Sequence, residues 1–164
     1  MIELLVLDVD GCLSDGGIIY SNSADEYKIF NVKDGLAIVS WIRLGKKVAI
    51  ITGRKSKVVE TRADELGVNF LFQGVKNKTA KLETILKNEN LSFKNVAAIG
   101  DDLNDLKMLK KVNWSFTPKD GSHFVKDEVD TVLNLEGGKG AVREMIEMII
   151  EKESMLGEFL ELWQ

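Results

Sequence analysis

A single cysteine (Cys12), a single proline (Pro118) and a single histidine (His123) occur among 164 residues. One cysteine excludes an intramolecular disulfide framework and fits a reducing compartment. No apolar stretch approaches the roughly 18 residues needed to span a bilayer. The net charge of −4 lacks the basic excess of a nucleic-acid binder. No repeat, low-complexity stretch or Pro/Gly/Ser linker marks a domain boundary. The first residues read as a strand with no basic signal-peptide region, so a cytoplasmic location is expected. With 45% hydrophobic and 29% charged residues, the composition is that of a globular protein with a sizeable core. The expectation is one domain over residues 1–164, with neither a membrane nor a nucleic-acid partner.

What is present is an alternation of strands and helices. Glu3–Val9 (ELLVLDV), Lys47–Ile51 (KVAII) and Val96–Ile99 (VAAI) are nearly continuous apolar runs, with Phe70–Phe72 a shorter candidate. Such runs suit strands buried on both faces of a parallel sheet. Helical patterns lie between them at Gly35–Leu44, Ser56–Leu66, Thr79–Asn88 and Leu103–Lys111, and Ala141–Lys152 is a strongly amphipathic last helix. Gly45 and Gly67 stop the first two. This order predicts an α/β fold with a doubly wound, mainly parallel, Rossmann-like sheet. Ile18–Tyr20 and Glu26–Phe30, joined by a polar turn, predict a β-hairpin protruding over about 18–30. The apolar tail Ser154–Gln164 fits a short helix of about three turns that needs cover.

Ligands of open α/β sheets bind beyond the carboxyl ends of the strands. The first strand ends in Asp8-Val9-Asp10-Gly11, the second in Thr52-Gly53-Arg54, and Val96–Ile99 runs into Gly100-Asp101-Asp102-Leu103-Asn104-Asp105. Strand alternation puts Asp8 and Asp10 on one face. Carboxylates gathered this way repel, and a hard divalent cation with oxygen ligands is the natural compensation. Mg²⁺ fits best, because it takes one or two carboxylates and keeps substrate oxygens. With that ion, Asp8 can attack phosphorus. Asp8, Asp101 and a phosphate dianion total about −4, so Mg²⁺ needs a lysine beside it, and Lys78 opens the following helix.

The order DVDG (Asp8–Gly11), ITGR (Ile51–Arg54), Lys78 and GDDLND (Gly100–Asp105) resembles the four motifs of haloacid dehalogenase superfamily phosphohydrolases. The resemblance implies that Asp8 forms an aspartyl-phosphate and that Asp10 protonates the leaving alkoxide, then activates water. It implies that Thr52 and Lys78 hold phosphoryl oxygens, and that Mg²⁺ sits on Asp8, the Asp10 carbonyl and Asp101. Asp102 and Asp105 would orient these ligands and Lys78. Members of the superfamily usually insert a cap domain. Here the 41 residues Gly11–Ile51 and the 25 residues Gly53–Asn77 are already occupied, so no cap is expected. A neighbouring subunit is then the favoured means of closing the site.

A closer resemblance runs through Asp15–Gly35, Thr52–Val68, Phe72–Lys78 and Gly137–Glu144. These segments are similar to the 3-deoxy-D-manno-octulosonate 8-phosphate phosphatase family. This implies a capless homotetramer acting in lipopolysaccharide precursor synthesis. It implies that Asp10, Asn31, Val32, Lys33, Asp34, Gly35, Arg54, Arg62 and Lys78 bind a sugar-acid phosphate. Two arginines suit the carboxylate of such a substrate. A nine-carbon sugar-acid 9-phosphate (neuraminate or deaminoneuraminate) would need the same chemistry and remains open. A non-catalytic scaffold is a third reading, opposed by the presence of Asp8, Asp10, Thr52, Lys78 and Asp101 together.

Other features have plainer readings. His123 lies in a polar surface loop, Cys12 is a small packing residue, and Lys107, Lys110 and Lys111 form a solvated helix face without interleaved aromatics. Gly137–Gly140 reads as a tight turn with a subunit contact.

Overall fold

The computed structural model describes residues 1–164. Six strands form one parallel sheet: β1 (Leu4–Leu7), β4 (Lys47–Ile51), β5 (Phe70–Phe72), β6 (Val96–Ile99), β7 (Trp114–Thr117) and β8 (Thr131–Val132). Their spatial order is β5-β4-β1-β6-β7-β8. From β1 the chain winds outward through β4 and β5, then returns to β6 on the other side. Leu7 at the end of β1 is in register with Ile50 and Ile99. The segments that follow these three strands therefore emerge together, at the point where the winding reverses.

Strand alternation divides the core in two. Leu5, Leu7, Val48, Ile50, Ala97 and Ile99 face a larger cluster with α1 (Val32–Arg43), α2 (Lys57–Leu66) and α6 (Ala141–Lys152). Leu4, Val6, Ala49, Ile51, Val96 and Ala98 face α3 (Lys78–Glu89), α4 (Leu106–Leu109) and α5 (His123–Lys126). Both faces are dry, which is why these strands read as unbroken apolar runs.

The hairpin is shorter than its sequence pattern, with β2 at Ile19–Tyr20 and β3 at Glu26–Tyr27. Helix α1 begins earlier than expected, because the Asn31 side chain caps it by accepting from Lys33 N at 2.8 Å. Asn31–Gly35 is thus the cap and first turn of the helix. The pattern at Leu103–Lys111 shortens to Leu106–Leu109, with turns before it. Strands β7 and β8 and helix α5 have no counterpart in the sequence reading. Strand β8 and helix α5 are too short to show a period, and β7 (WSFT) breaks its apolar run with Ser115 and Thr117. No cap domain interrupts the sheet, and no helix is long and apolar enough to cross a membrane.

The tail forms α7 (Leu156–Glu161) and packs on its own chain. Met155 and Phe159 are buried, Trp163 Nε1 donates to Ser40 Oγ at 3.0 Å, and Arg43 stacks over the Trp163 ring at 4.6 Å.

Candidate active site

Strand β1 stops at Leu7, two residues short of its sequence pattern. Val9–Leu13 is a tight turn in which Gly11 takes φ +92°, a conformation favoured by glycine. A Cβ on Gly11 would lie 2.1 Å from Asp101 Oδ2, so the absence of a side chain lets Asp101 approach. Strand alternation therefore does not place Asp10, as the sequence pattern assumed; the turn does. Asp8 and Asp10 consequently meet different partners.

Asp8 points to the α3 side of the sheet and is 5% exposed. Lys78, at the start of α3 and equally buried, donates to Asp8 Oδ1 at 2.7 Å and to Asp105 Oδ1 at 2.5 Å. Burial alone would depress the Lys78 ammonium, but Asp8 and Asp105 raise it above its ordinary value. The Asp8 carboxyl is raised to about 6, by burial first and then by Asp105, against the pull of Lys78. Asp101 is raised to about 7, by burial and by Asp8, Asp105 and Asp102. Burial and mutual repulsion together make these carboxylates costly to ionise without a further cation beside them. Ligand atoms of Asp8, Asp101 and Cys12 lie within 4.8 Å of one another. The two carboxylates fit a hard divalent ion. The Cys12 thiol is pushed well up by burial and by Asp8, so it stays a neutral thiol.

These groups open into a pocket of about 160 Å³ lined by no hydrophobic residue, with Asp8, Asp10, Thr52, Arg54, Asp101 and Asn104 among its walls. Thr52 is buried at the end of β4. Asp105 accepts from Lys78 and from the backbone of Asp101, so it ties the lysine to the β6 loop. Asp102 is exposed, and its carboxylate accepts from Leu103 N at 2.8 Å without bonding Lys78.

The substrate residues expected from the resemblance do not all gather here within one chain. Arg54 lines the pocket and binds the hairpin, donating to Glu26 Oε1 at 2.9 Å and to Tyr20 Oη at 3.0 Å. Arg62 lines a separate groove with Val32, Gly35, Leu36 and Leu66, and bonds Glu65. Val32 and Lys33 are exposed, and Asn31 donates to Gly138 O at 3.5 Å. Asp34 is buried and caps α6, accepting from Arg143 N at 2.7 Å and from the Gly140 backbone.

Three contacts around the site escaped the sequence reading. Lys28 bonds Asp10 with its side chain fully buried. The signal was an inverted alternation, with Tyr27 and Ile29 exposed while Glu26 and Lys28 turn inward. Gly137 lies against the Val9–Leu13 turn, since a Cβ there would meet Gly11 O at 1.8 Å, and Gly138 N donates to Cys12 O at 2.9 Å. Cys12 is a packing residue, as expected, but it also borders the carboxylates. Nothing in one sequence foretells the last two contacts.

A buried carboxylate at the end of the central parallel strand, held by a lysine and facing a second strand-end acid, defines a haloacid dehalogenase-like hydrolase. The profile of that family matches residues 72–146. The 3-deoxy-D-manno-octulosonate 8-phosphate phosphatase KdsC of Escherichia coli K12 is 41% identical over 157 residues, 96% of this chain and 84% of that protein. The protein of the same name from Yersinia pestis is 39% identical over 94% of this chain and 83% of its own. A crystal structure of the Moraxella catarrhalis phosphatase of this name, in complex with a magnesium ion, a phosphate ion and KDO, superposes with a TM-score of 0.95. It is 37% identical and covers 99% of this chain and 94% of that one. The chain belongs to the 3-deoxy-D-manno-octulosonate 8-phosphate phosphatase family.

Proposed function

We infer that this protein is a Mg²⁺-dependent phosphatase that releases phosphate from 3-deoxy-D-manno-octulosonate 8-phosphate, a step of lipopolysaccharide precursor synthesis, and that it acts in the cytoplasm as one catalytic domain. The observation that carries the reading is the buried Asp8 carboxylate held by Lys78 beside Asp101, in a relative of enzymes named for that reaction. Asp8, Asp101 and the Asp10 carbonyl would hold Mg²⁺, which neutralises charge as a phosphate dianion approaches.

An Asp8 oxygen attacks phosphorus, and the bond from phosphorus to the sugar oxygen breaks. The Asp10 carboxyl gives its proton to that oxygen. Asp10, now a carboxylate, takes a proton from water as the water attacks the aspartyl-phosphate, and phosphate leaves as Asp8 is restored. Thr52 and Lys78 hold the phosphoryl oxygens, while Asp105 holds Lys78.

The pocket of about 160 Å³ is smaller than the roughly 300–1,000 Å³ typical of small-molecule sites. It accommodates the phosphoryl group and leaves the sugar outside. A second hollow of about 520 Å³ between the hairpin and residues 54–58 shares Arg54 with it, which supports a substrate tail lying across that arginine. Further walls come from neighbouring subunits of a homotetramer. Ile18, Ile19, Tyr27, Ile29 and Val32 are all at least 49% exposed on and beside the hairpin, a surface that favours association. Asn31, Val32, Lys33 and Arg62 would then serve a shared site.

Phosphate release with and without Mg²⁺ from the eight-carbon ester, neuraminate 9-phosphate and an aryl phosphate tests the reading. A strong preference for the first is expected, and preference for the nine-carbon ester would replace the substrate. A monomer by light scattering at micromolar concentration would overturn the tetramer.

A further inference from the structure

The hairpin delivers one side chain that none of these roles uses. Lys28 follows β3 and has a fully buried side chain, although Tyr27 and Ile29 on either side are exposed. A buried ammonium is tolerated only when paired. This one hydrogen-bonds Asp10 Oδ1 and stands 3.4 Å from Glu26 Oε1. Glu26 also accepts from Arg54, and Arg54 Nε stands 3.9 Å from Asp10 Oδ2. Two cations, Lys28 and Arg54, and two acids, Glu26 and Asp10, close a ring around the carboxyl group of Asp10.

The two sides of the ring differ. The Lys28 side is sealed, whereas the Arg54 side chain is 40% exposed, lines the phosphate pocket and has an Nε without a hydrogen-bond partner. Asp10 therefore has one oxygen anchored in the protein and the other on the side where a ligand arrives.

We propose that Lys28 is the positioning residue of the general acid: by holding Asp10 Oδ1 it aims Oδ2 at the leaving oxygen of the substrate. The inference rests on the aspartyl-phosphate reading above. As the bond from Asp8 to phosphorus forms and the bond from phosphorus to the sugar oxygen breaks, the proton on Oδ2 passes to that oxygen. Lys28 donates a hydrogen bond throughout and transfers no proton. The hairpin thereby has a part in the chemistry of its own subunit, whatever it also does between subunits.

Leaving-group dependence separates this role from a structural one. Nitrophenolate departs without protonation, whereas a sugar alkoxide does not. The value of kcat/KM reports the first step, formation of the aspartyl-phosphate. In Lys28→Met we expect kcat/KM to fall about 10²-fold on the eight-carbon ester and on glycerol phosphate, but less than about tenfold on p-nitrophenyl phosphate, with phenyl phosphate between. Most of the loss should lie in kcat. An equal loss on every ester, or no loss on any, overturns the proposal. If Lys28→Met does not fold, Lys28→Arg keeps the charge but not the placement, and the same slope against leaving-group basicity decides. Wild-type activity on glycerol phosphate without activity on the eight-carbon ester would count against the substrate alone, leaving the Lys28 test intact.

Discussion

The Lys78 ammonium stands 2.5 Å from Asp105 Oδ1, with both side chains almost wholly excluded from solvent. Asp105 thus carries the charge that keeps Lys78 in place beside Asp8. Breaking a buried pair by removing one partner costs about 3–5 kcal/mol, because the remaining charges are left without compensation. Lys78→Met should lose stability on that scale in urea denaturation and lose turnover. Asp105→Asn should retain the fold but place Lys78 less firmly, and its KM should rise. A Lys78→Met protein as stable as the wild type would contradict the assignment.

Asp8→Asn should abolish turnover while leaving the fold intact, since the amide is nearly isosteric and removes one charge from a repelling cluster. Appreciable phosphate release by the variant would remove Asp8 as the nucleophile.

Mg²⁺ binding should weaken as the medium is acidified. Asp8 at about 6 and Asp101 at about 7 must both be ionised to hold the cation, so protons compete with it below neutrality. The rise in melting temperature produced by millimolar Mg²⁺ should therefore be large at pH 8 and small at pH 5.5. Equal shifts at both values would show that these carboxyls are not the ligands.

Asp34 gives a stability effect away from the chemistry. Burial raises its carboxyl to about 6, although Arg143 and Gly140 donate backbone hydrogen bonds to it, and Oδ2 has no partner. Between the ordinary carboxylate range and pH 6 the folded protein binds the proton that the unfolded chain has released. Stability is therefore lost as pH rises through that window, by about 3 kcal/mol at most. Asp34→Asn keeps an acceptor for Arg143 N and cannot ionise. It should be at least as stable as the wild type at pH 7.5 and lose its advantage at pH 4. A variant clearly less stable at pH 7.5 would refute this account.

Much of the molecule was legible from one sequence because burial leaves a periodic trace. Strands covered on both faces read as Glu3–Val9, Lys47–Ile51 and Val96–Ile99, of which the structure trims only the first, to Leu4–Leu7, and glycines after helices marked their ends. Parallel winding then brought Asp8, Thr52 and Asp101 to one edge, and Lys78 to the head of the next helix. Those positions follow from topology alone.

Tertiary structure decided what polar groups meet. The turn at Gly11, not strand alternation, sends Asp10 toward Lys28 and leaves Asp8 to Lys78. Gly137 presses on Gly11 across more than a hundred residues of chain, and Asp34 turns inward to cap α6 instead of facing the pocket. Trp163 found its partner in Ser40. A hydrophobic pattern records which face of an element is covered. It carries no record of which charges a turn, a cap or a close backbone approach will bring together, because those pairings depend on distances set only when the whole sheet has assembled.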